Sequence, residues 1–130
     1  MHNGQIGGWP VVRRELENLI ADGLYPFREG STDSEVIFYL LLSNGVEENV
    51  DAAFARTCRQ VEGVMAAHGI VEPFRLTACL TDGERMFALR HSSDHASPTL
   101  FHASGGGISV DQGCCRFESS RGDVLVLSEP

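Results

Sequence analysis

Two short segments carry residues that could act on a carbonyl group. Asn3 is followed by Gly4, and an Asn side-chain amide beside a glycine backbone N–H can supply two donors to one oxygen, which is what an oxyanion hole requires. Asp33 stands at the start of a predicted helix, where a carboxylate complements the helix dipole or pairs with a ligand ammonium group. Taken singly, each has a simpler interpretation, because Asn-Gly is a common turn and Asp a common helix cap.

A second set of side chains has the chemistry of metal ligands: His91, Asp94, His95, His102 and the adjacent Cys114 and Cys115. Their spacing matches no closed zinc site, and adjacent cysteines are poor partners on one ion, so we expect no metal and no other cofactor. No serine stands in a Gly-x-Ser-x-Gly elbow, although a Ser/His/Asp triad of distant residues stays open. Cys79 lies within a predicted strand and is expected to be a buried small hydrophobic residue.

The composition is that of one globular domain. The 130 residues suffice for a single core, and the formal net charge of −8, without a Lys/Arg cluster, argues against nucleic-acid binding. The longest apolar run, residues 36–42, is far too short to cross a membrane. No secretion signal begins the sequence, so the four cysteines are expected to be reduced thiols in a cytoplasmic protein.

Apolar periodicity and cap residues predict three helices, followed by strands. The helices are expected at residues 10–21, 32–44 and 50–68. Thr32 and Glu35 have the spacing of a capping box, and the run that follows is apolar on all sides, which predicts burial. Gly23 and Gly69 are the expected stops of the first and third helices.

The later part of the chain alternates with the period of a strand. Strands are expected at residues 74–80, 85–90, 99–103, 108–110 and 124–127, the last of them buried. Asp82-Gly83 predicts a two-residue hairpin between the first two. Helices followed by antiparallel strands predict an α+β layered domain.

Several segments taken together resemble a known family. They are residues 1–6 with His2-Asn3-Gly4, Leu24-Tyr25-Pro26, residues 30–35 with Thr32-Asp33-Ser34-Glu35, Val61-Glu62, His68-Gly69, residues 80–85 and residues 126–130. In this order they are similar to the central and C-terminal part of a class II glutamine amidotransferase domain, in its stand-alone bacterial branch. The resemblance implies an N-terminal-nucleophile hydrolase fold, of which this chain would form a partial four-layer αββα sandwich.

The resemblance also implies roles for individual residues. In the family, an N-terminal cysteine attacks the side-chain amide of glutamine, a γ-glutamyl thioester forms and ammonia leaves. Asn3 and Gly4 match the family's oxyanion hole, and Asp33 matches the acidic residue that binds the α-amino group of glutamine. His2 and Thr32 belong to the same two motifs and are predicted to contribute to substrate binding.

The chain departs from the family at the nucleophile. None of the four cysteines is N-terminal, so none can use its own α-amino group as a base. We therefore expect residues 1–130 to be a single partial domain, truncated at both ends and inactive by itself. Its partners would be glutamine or a γ-glutamyl compound, together with a separate N-terminal half or a second copy. An inactive glutamine-binding or interaction module, or a non-functional fragment, are the alternatives.

Two structural expectations follow from these assignments. The strands at residues 74–80, 85–90, 99–103 and 124–127 should form one sheet beneath the helices, with an unprotected edge where upstream strands belong. Asn3, Gly4 and Asp33 should lie on the same side of that sheet, close enough to contact one glutamine molecule.

Overall fold

The computed structural model describes residues 2–97, 99–105, 107–111, 114–118 and 124–128. Its helices are α1 (Trp9–Glu17), α2 (Asp33–Ser43) and α3 (Val50–Ala67), with a 3₁₀ turn at Tyr25–Phe27. Its strands are β1 (His2–Gln5), β2 (Arg75–Thr81), β3 (Met86–Ser92), β4 (Leu100–Ser104), β5 (Gly107–Asp111), β6 (Cys114–Glu118) and β7 (Val124–Ser128). The α+β class with antiparallel strands is confirmed.

The described strands form three antiparallel sheets, which corrects the prediction of one sheet. The first has the order β1-β2-β3, and β4-β7 and β5-β6 are separate pairs. The chain bends after β3, where Asp94 accepts hydrogen bonds from the Ser92 hydroxyl and the Ala96 N–H. Beyond this bend β4 pairs with β7 instead of continuing the first sheet.

Two strands, β1 and β6, were not predicted from the sequence. Asn3-Gly4 was interpreted as turn chemistry, but the segment pairs with β2 from His2 opposite Ala78 to Gln5 opposite Arg75. A partner more than seventy positions away leaves no local signal, since strand formation depends on pairing more than on intrinsic preference.

The core lies between the helices and one face of the three-stranded sheet. Alternation along β2 turns Leu76 toward the helices, and Ala78 and Leu80 follow with partial burial. Most of the buried apolar side chains come from the helices and their flanking turns: Ile6, Val12, Leu16, Ile20, Val36, Ile37, Leu40, Leu41, Val46, Val61, Val64, Met65 and Phe74. The helices therefore cover one face of the sheet and bring the start of α2 against β1.

Helix α1 is shorter than predicted. It ends at Glu17 and not near Ala21, because the Leu19 and Ile20 N–H groups bond three residues back in a tightened last turn. Leu19, in this tightened turn, is exposed.

The other two helices match their predictions closely. α3 ends at Ala67, and Gly69 follows in the left-handed conformation at φ 65°. The expectation that α2 is buried on all sides is wrong at Phe38, which is 43% exposed. Within the described residues, no helix combines the length and apolar character needed to cross a membrane.

The hairpin between β2 and β3 is longer than predicted. Residues 82–85 form a four-residue loop, closed by a bond from the Asp82 N–H to the Arg85 carbonyl. The Asp82 carboxylate accepts the N–H groups of Glu84 and Arg85, so the loop is organised by its acidic residue as well as by Gly83. The predicted burial of the last strand is also wrong, since Val124 and Leu127 are both about half exposed.

Candidate functional site at the corner of β1 and α2

The two sequence motifs meet where β1 ends and α2 begins. The Asp33 carboxylate accepts a hydrogen bond from the Ile6 N–H, immediately after β1, at 3.0 Å from Oδ2. The Ser34 hydroxyl lies 2.6 Å from Nδ1 of His2, at the other end of the strand. We call this region, formed by His2, Asn3, Gly4, Asp33 and Ser34, the β1–α2 corner.

The Asp33 carboxylate is held by donors from both elements. Besides the bond from Ile6, its Oδ1 accepts the Ser34 N–H at 2.8 Å. An ionised carboxylate offers about four acceptor positions, so two backbone bonds leave capacity for a ligand cation. Asp33 therefore has a structural role at the corner, and it keeps the charge and the lone pairs that an ammonium group requires.

Thr32 acts as the cap of α2. Its hydroxyl accepts the Glu35 N–H at 3.3 Å, as the capping box predicts. The reciprocal half of the box is not formed, because the Glu35 carboxylate accepts the N–H groups of Glu29 and Gly30, both at 2.8 Å. The loop before α2 is thereby fixed, and the same carboxylate lies 3.4 Å from the guanidinium of Arg28.

His2 is the partly buried member of the corner. Burial lowers the pKa of its imidazole below the ordinary value, against the opposing influence of the Asp33 charge and the Arg75 carbonyl. Its Nε2 is shielded from solvent and makes no hydrogen bond of ordinary geometry in the structure. At neutral pH the ring is therefore neutral, and a neutral ring can accept the Ser34 hydroxyl proton at Nδ1.

Gly4 occupies a backbone conformation that other residues rarely adopt. Its φ is 140°, and a Cβ added to it would lie 2.1 Å from the Arg75 carbonyl oxygen. The same Cβ would approach the His2 Nε2 to 3.2 Å. Only glycine lets β1 approach β2 this closely above the His2 ring.

Asn3 lies in β1, where its partner in the register is Thr77. Alternation along β1 turns its side chain to the sheet face opposite the one that His2 and α2 share. The expectation that Asn3 and Asp33 contact one glutamine molecule stays a prediction, and such a contact would have to be made around the edge of β1. The two remain neighbours around the edge, since β1 is the outer strand of its sheet among the described residues.

A groove of about 460 Å³ runs between α2 and β2 beside the corner. Its walls are largely apolar, and its polar groups come from His2, Ser34, Glu35 and Thr81. The exposed ring of Phe38 forms part of one wall, so the exposed side of α2 faces this groove.

Cys58 is a poor candidate for a nucleophile. Burial raises the pKa of Cys58 to about 12, with the nearby Glu62 charge adding to the effect, so the thiolate is scarce at neutral pH. Cys79 is half-buried in the middle of β2, opposite Ala88 of β3. Cys114 and Cys115 lie outside the residues whose side chains the structure describes.

Two of the side chains considered as metal ligands, His91 and Asp94, have other partners. His91 lies 2.7 Å from the Glu62 carboxylate and packs against the ring of Phe74. Asp94 forms an ion pair with Arg75 at 2.6 Å. In the ranges that the structure describes, no three His, Cys, Asp or Glu side chains are grouped as a metal site would require.

Ser34 is the member of the corner that sequence reasoning did not single out. Its contact with His2 joins residues 32 positions apart, which no local pattern encodes. Its place inside the Thr32–Glu35 motif was the one available signal.

Comparison with known proteins agrees with the relation expected from these motifs. No protein-family model matches the chain. A solved structure from Silicibacter pomeroyi, of a glutamine aminotransferase class-II domain protein, superimposes with a TM-score of 0.76 and 34% sequence identity. The alignment covers 92% of this chain and 64% of that one. This chain therefore resembles a class II glutamine amidotransferase domain in fold and in sequence.

A curated relative gives the same result at the level of sequence. The probable glutamine amidotransferase DUG3 of Saccharomyces cerevisiae is 30% identical over 156 aligned positions. That alignment covers 100% of this chain and 43% of the yeast protein, so the chain spans less than half the length of the curated relative it matches.

Proposed function

We propose that the β1–α2 corner binds glutamine or a γ-glutamyl compound and takes part in hydrolysis of its side-chain amide. The observation that carries the proposal is the bond between the Ile6 N–H and the Asp33 carboxylate. It joins the strand that bears Asn3 and Gly4 directly to the acidic start of α2. The yeast relative is named a probable glutamine amidotransferase and the Silicibacter protein a glutamine aminotransferase class-II domain protein, which supports the choice of ligand.

Each member of the corner has a distinct part in this proposal. The Asp33 carboxylate pairs with the α-amino group of glutamine, through acceptor positions that its two backbone bonds leave open. Asn3 and the Gly4 N–H donate to the oxygen of the reacting amide. Asn3 lies three residues from Ile6, roughly 10 Å along the strand, so an extended ligand would cross the outer edge of β1.

The nucleophile comes from outside these 130 residues in this proposal. The Cys58 thiol, with its pKa raised to about 12, is a poor attacking group. A cysteine on another segment, or on a separate chain, would add through Sγ to the amide carbon. The C–N bond then breaks, ammonia leaves with a proton from the attacking group's base, and water releases glutamate from the thioester.

A binding module without catalysis is the second candidate. The burial of Cys58 favours it, because the residues that would position glutamine are present while a described nucleophile is not. The two candidates share the ligand and differ in turnover. Ammonia release separates them once the missing cysteine segment is supplied.

The experiment is a calorimetric titration of the 130-residue chain with L-glutamine. Asp33→Asn should weaken binding roughly 10- to 100-fold, since a hydrogen bond to a charged group contributes about 1.5–3 kcal/mol. Both Asp33 oxygens accept N–H groups, so either orientation of the new amide sets an NH₂ against a donor. The titration must therefore be run well below the melting temperature of the variant.

Asp51→Asn is the matched control. Asp51 is also an acidic residue in the first turn of a helix, α3, and it is exposed. It should bind glutamine as the parent chain does. Equal affinity of the Asp33 and Asp51 variants, or no binding by the parent chain, would refute the proposed site.

A further inference from the structure

The β1–α2 corner contains a second link between its two elements, formed by His2 and Ser34. The first link, from Ile6 to Asp33, anchors the end of β1. The second joins the start of β1 to the next residue of α2, with 2.6 Å between His2 Nδ1 and Ser34 Oγ. Asn3 and Gly4 stand between the two anchor points, which are four residues apart, roughly 13 Å along a strand.

The orientation of the Ser34 hydroxyl follows from its two neighbours. It lies 2.6 Å from His2 Nδ1 and 3.5 Å from Asp33 Oδ1, so in the tautomer that carries its proton on Nε2 the hydroxyl donates to Nδ1 and not to the carboxylate. Neutral His2 accepts that proton, consistent with a pKa lowered by burial. The Asp33 oxygen consequently keeps a lone pair that the hydroxyl would otherwise occupy.

We propose that Ser34 is a positioning residue, which through His2 fixes the Asp33 carboxylate relative to Asn3 and Gly4. One hydrogen bond between β1 and α2 would let the start of the helix pivot about Ile6. Two bonds at separate points remove that freedom and set the distance between the ammonium site and the oxyanion site. This inference rests on the proposed function, and it assigns Ser34 a part that the motif alone does not.

The test compares two ligands that differ in one group. L-Glutamine engages both ends of the corner, whereas 4-carbamoylbutanoate lacks the α-amino group and cannot pair with Asp33. The measured quantity is the ratio of their dissociation constants, by calorimetry on the full 130-residue chain. Ser34→Ala should reduce the preference for glutamine about 5- to 10-fold, because one hydrogen bond contributes about 1 kcal/mol to the difference between the two ligands.

Two further variants separate positioning from loss of structure. Ser34→Thr keeps the hydroxyl and should retain the parent preference. His2→Ala should reduce the preference as Ser34→Ala does, and the double variant should lose no more than either single one, since both remove the same link. Thermal unfolding of each variant establishes that the protein titrated is folded.

The possible failures are distinguishable. If the parent chain does not bind glutamine, or Asp33→Asn does not weaken binding, the proposed function and this inference both fall. If Asp33→Asn weakens binding but Ser34→Ala leaves the ligand preference unchanged, the inference alone is wrong. The inference is equally overturned if Ser34→Thr behaves like Ser34→Ala, or if the effects of His2→Ala and Ser34→Ala simply add.

Discussion

Replacement of Gly4 by alanine perturbs the corner at its tightest point. The new methyl group would lie 2.1 Å from the Arg75 carbonyl oxygen and 2.8 Å from its carbon, so backbone would have to move. The residue would also be held at a φ of 140°, which side chains strongly disfavour. Relief requires β1 to move away from β2, and the displaced strand carries both links to α2.

The magnitude follows from two contributions. A residue held in a disfavoured backbone region costs about 1–3 kcal/mol. A weakened pairing of β1 with β2 costs about 1 kcal/mol for each hydrogen bond lost. We expect Gly4→Ala to lower the free energy of unfolding by about 3 kcal/mol, which for a domain of this size is roughly 10 °C in melting temperature.

Denaturant unfolding followed by circular dichroism measures this change, with two other glycines as controls. No atom lies within 4 Å of a Cβ built on Gly23 or on Gly63. Gly23→Ala should be nearly neutral. Gly63→Ala, in the interior of α3, should stabilise by about 0.5–1 kcal/mol because alanine is the better helix former. A loss below about 0.5 kcal/mol for Gly4→Ala would mean that β1 does not lie against β2 as described.

The remaining predictions concern stability and reactivity away from the corner. Arg28 is 8% exposed and pairs with both Glu17 and Glu35, so Arg28→Ala should lower the free energy of unfolding by about 2 kcal/mol. Arg13 is more exposed, and Arg13→Ala should lower it by about 0.5 kcal/mol. Denaturant unfolding measures both changes. Backbone donors from Arg85 and Glu84 depress the pKa of Asp82 to about 2. The contribution of Asp82 to stability is therefore full above about pH 4 and is lost as the pH falls through about 2. Asp82→Asn should make the melting temperature less dependent on pH in that window. Cys58, with its raised pKa, should be alkylated at pH 8 much more slowly in the native chain than in urea, as peptide mass spectrometry would measure; equal rates would contradict its burial.

The elements predicted correctly are those whose signals lie in neighbouring residues of the sequence. The Thr32 cap, the apolar run of α2 and the glycine after α3 are local features, and the structure contains each of them. β1 was not predicted because it depends on pairing with a distant part of the chain, and the tightened last turn of α1 has no signal in the apolar pattern. An Asn-Gly pair becomes a strand here because β2 offers it hydrogen bonds.

The roles of the site residues stay a prediction, and the structure adds how close their elements lie. The resemblance named Asp33, Asn3 and Gly4, and the structure brings the strand of the latter two against the helix start of the first. The sheet face to which the Asn3 side chain turns follows from strand alternation, so it could not be predicted while Asn3-Gly4 was interpreted as a turn. The role of Ser34 depends on the His2 ring, and that contact exists only in the folded chain.

An amide-resolved NMR titration of the chain with L-glutamine tests the central claim most directly. The account predicts saturable shifts of the Ile6 and Ser34 backbone amides, which donate to the Asp33 carboxylate, and of the Gly4 amide, which donates to the ligand oxygen in the proposal. These shifts should be lost in Asp33→Asn. Shifts confined to the distant surface around Glu62 and His91, or no saturable shift at all, would contradict it.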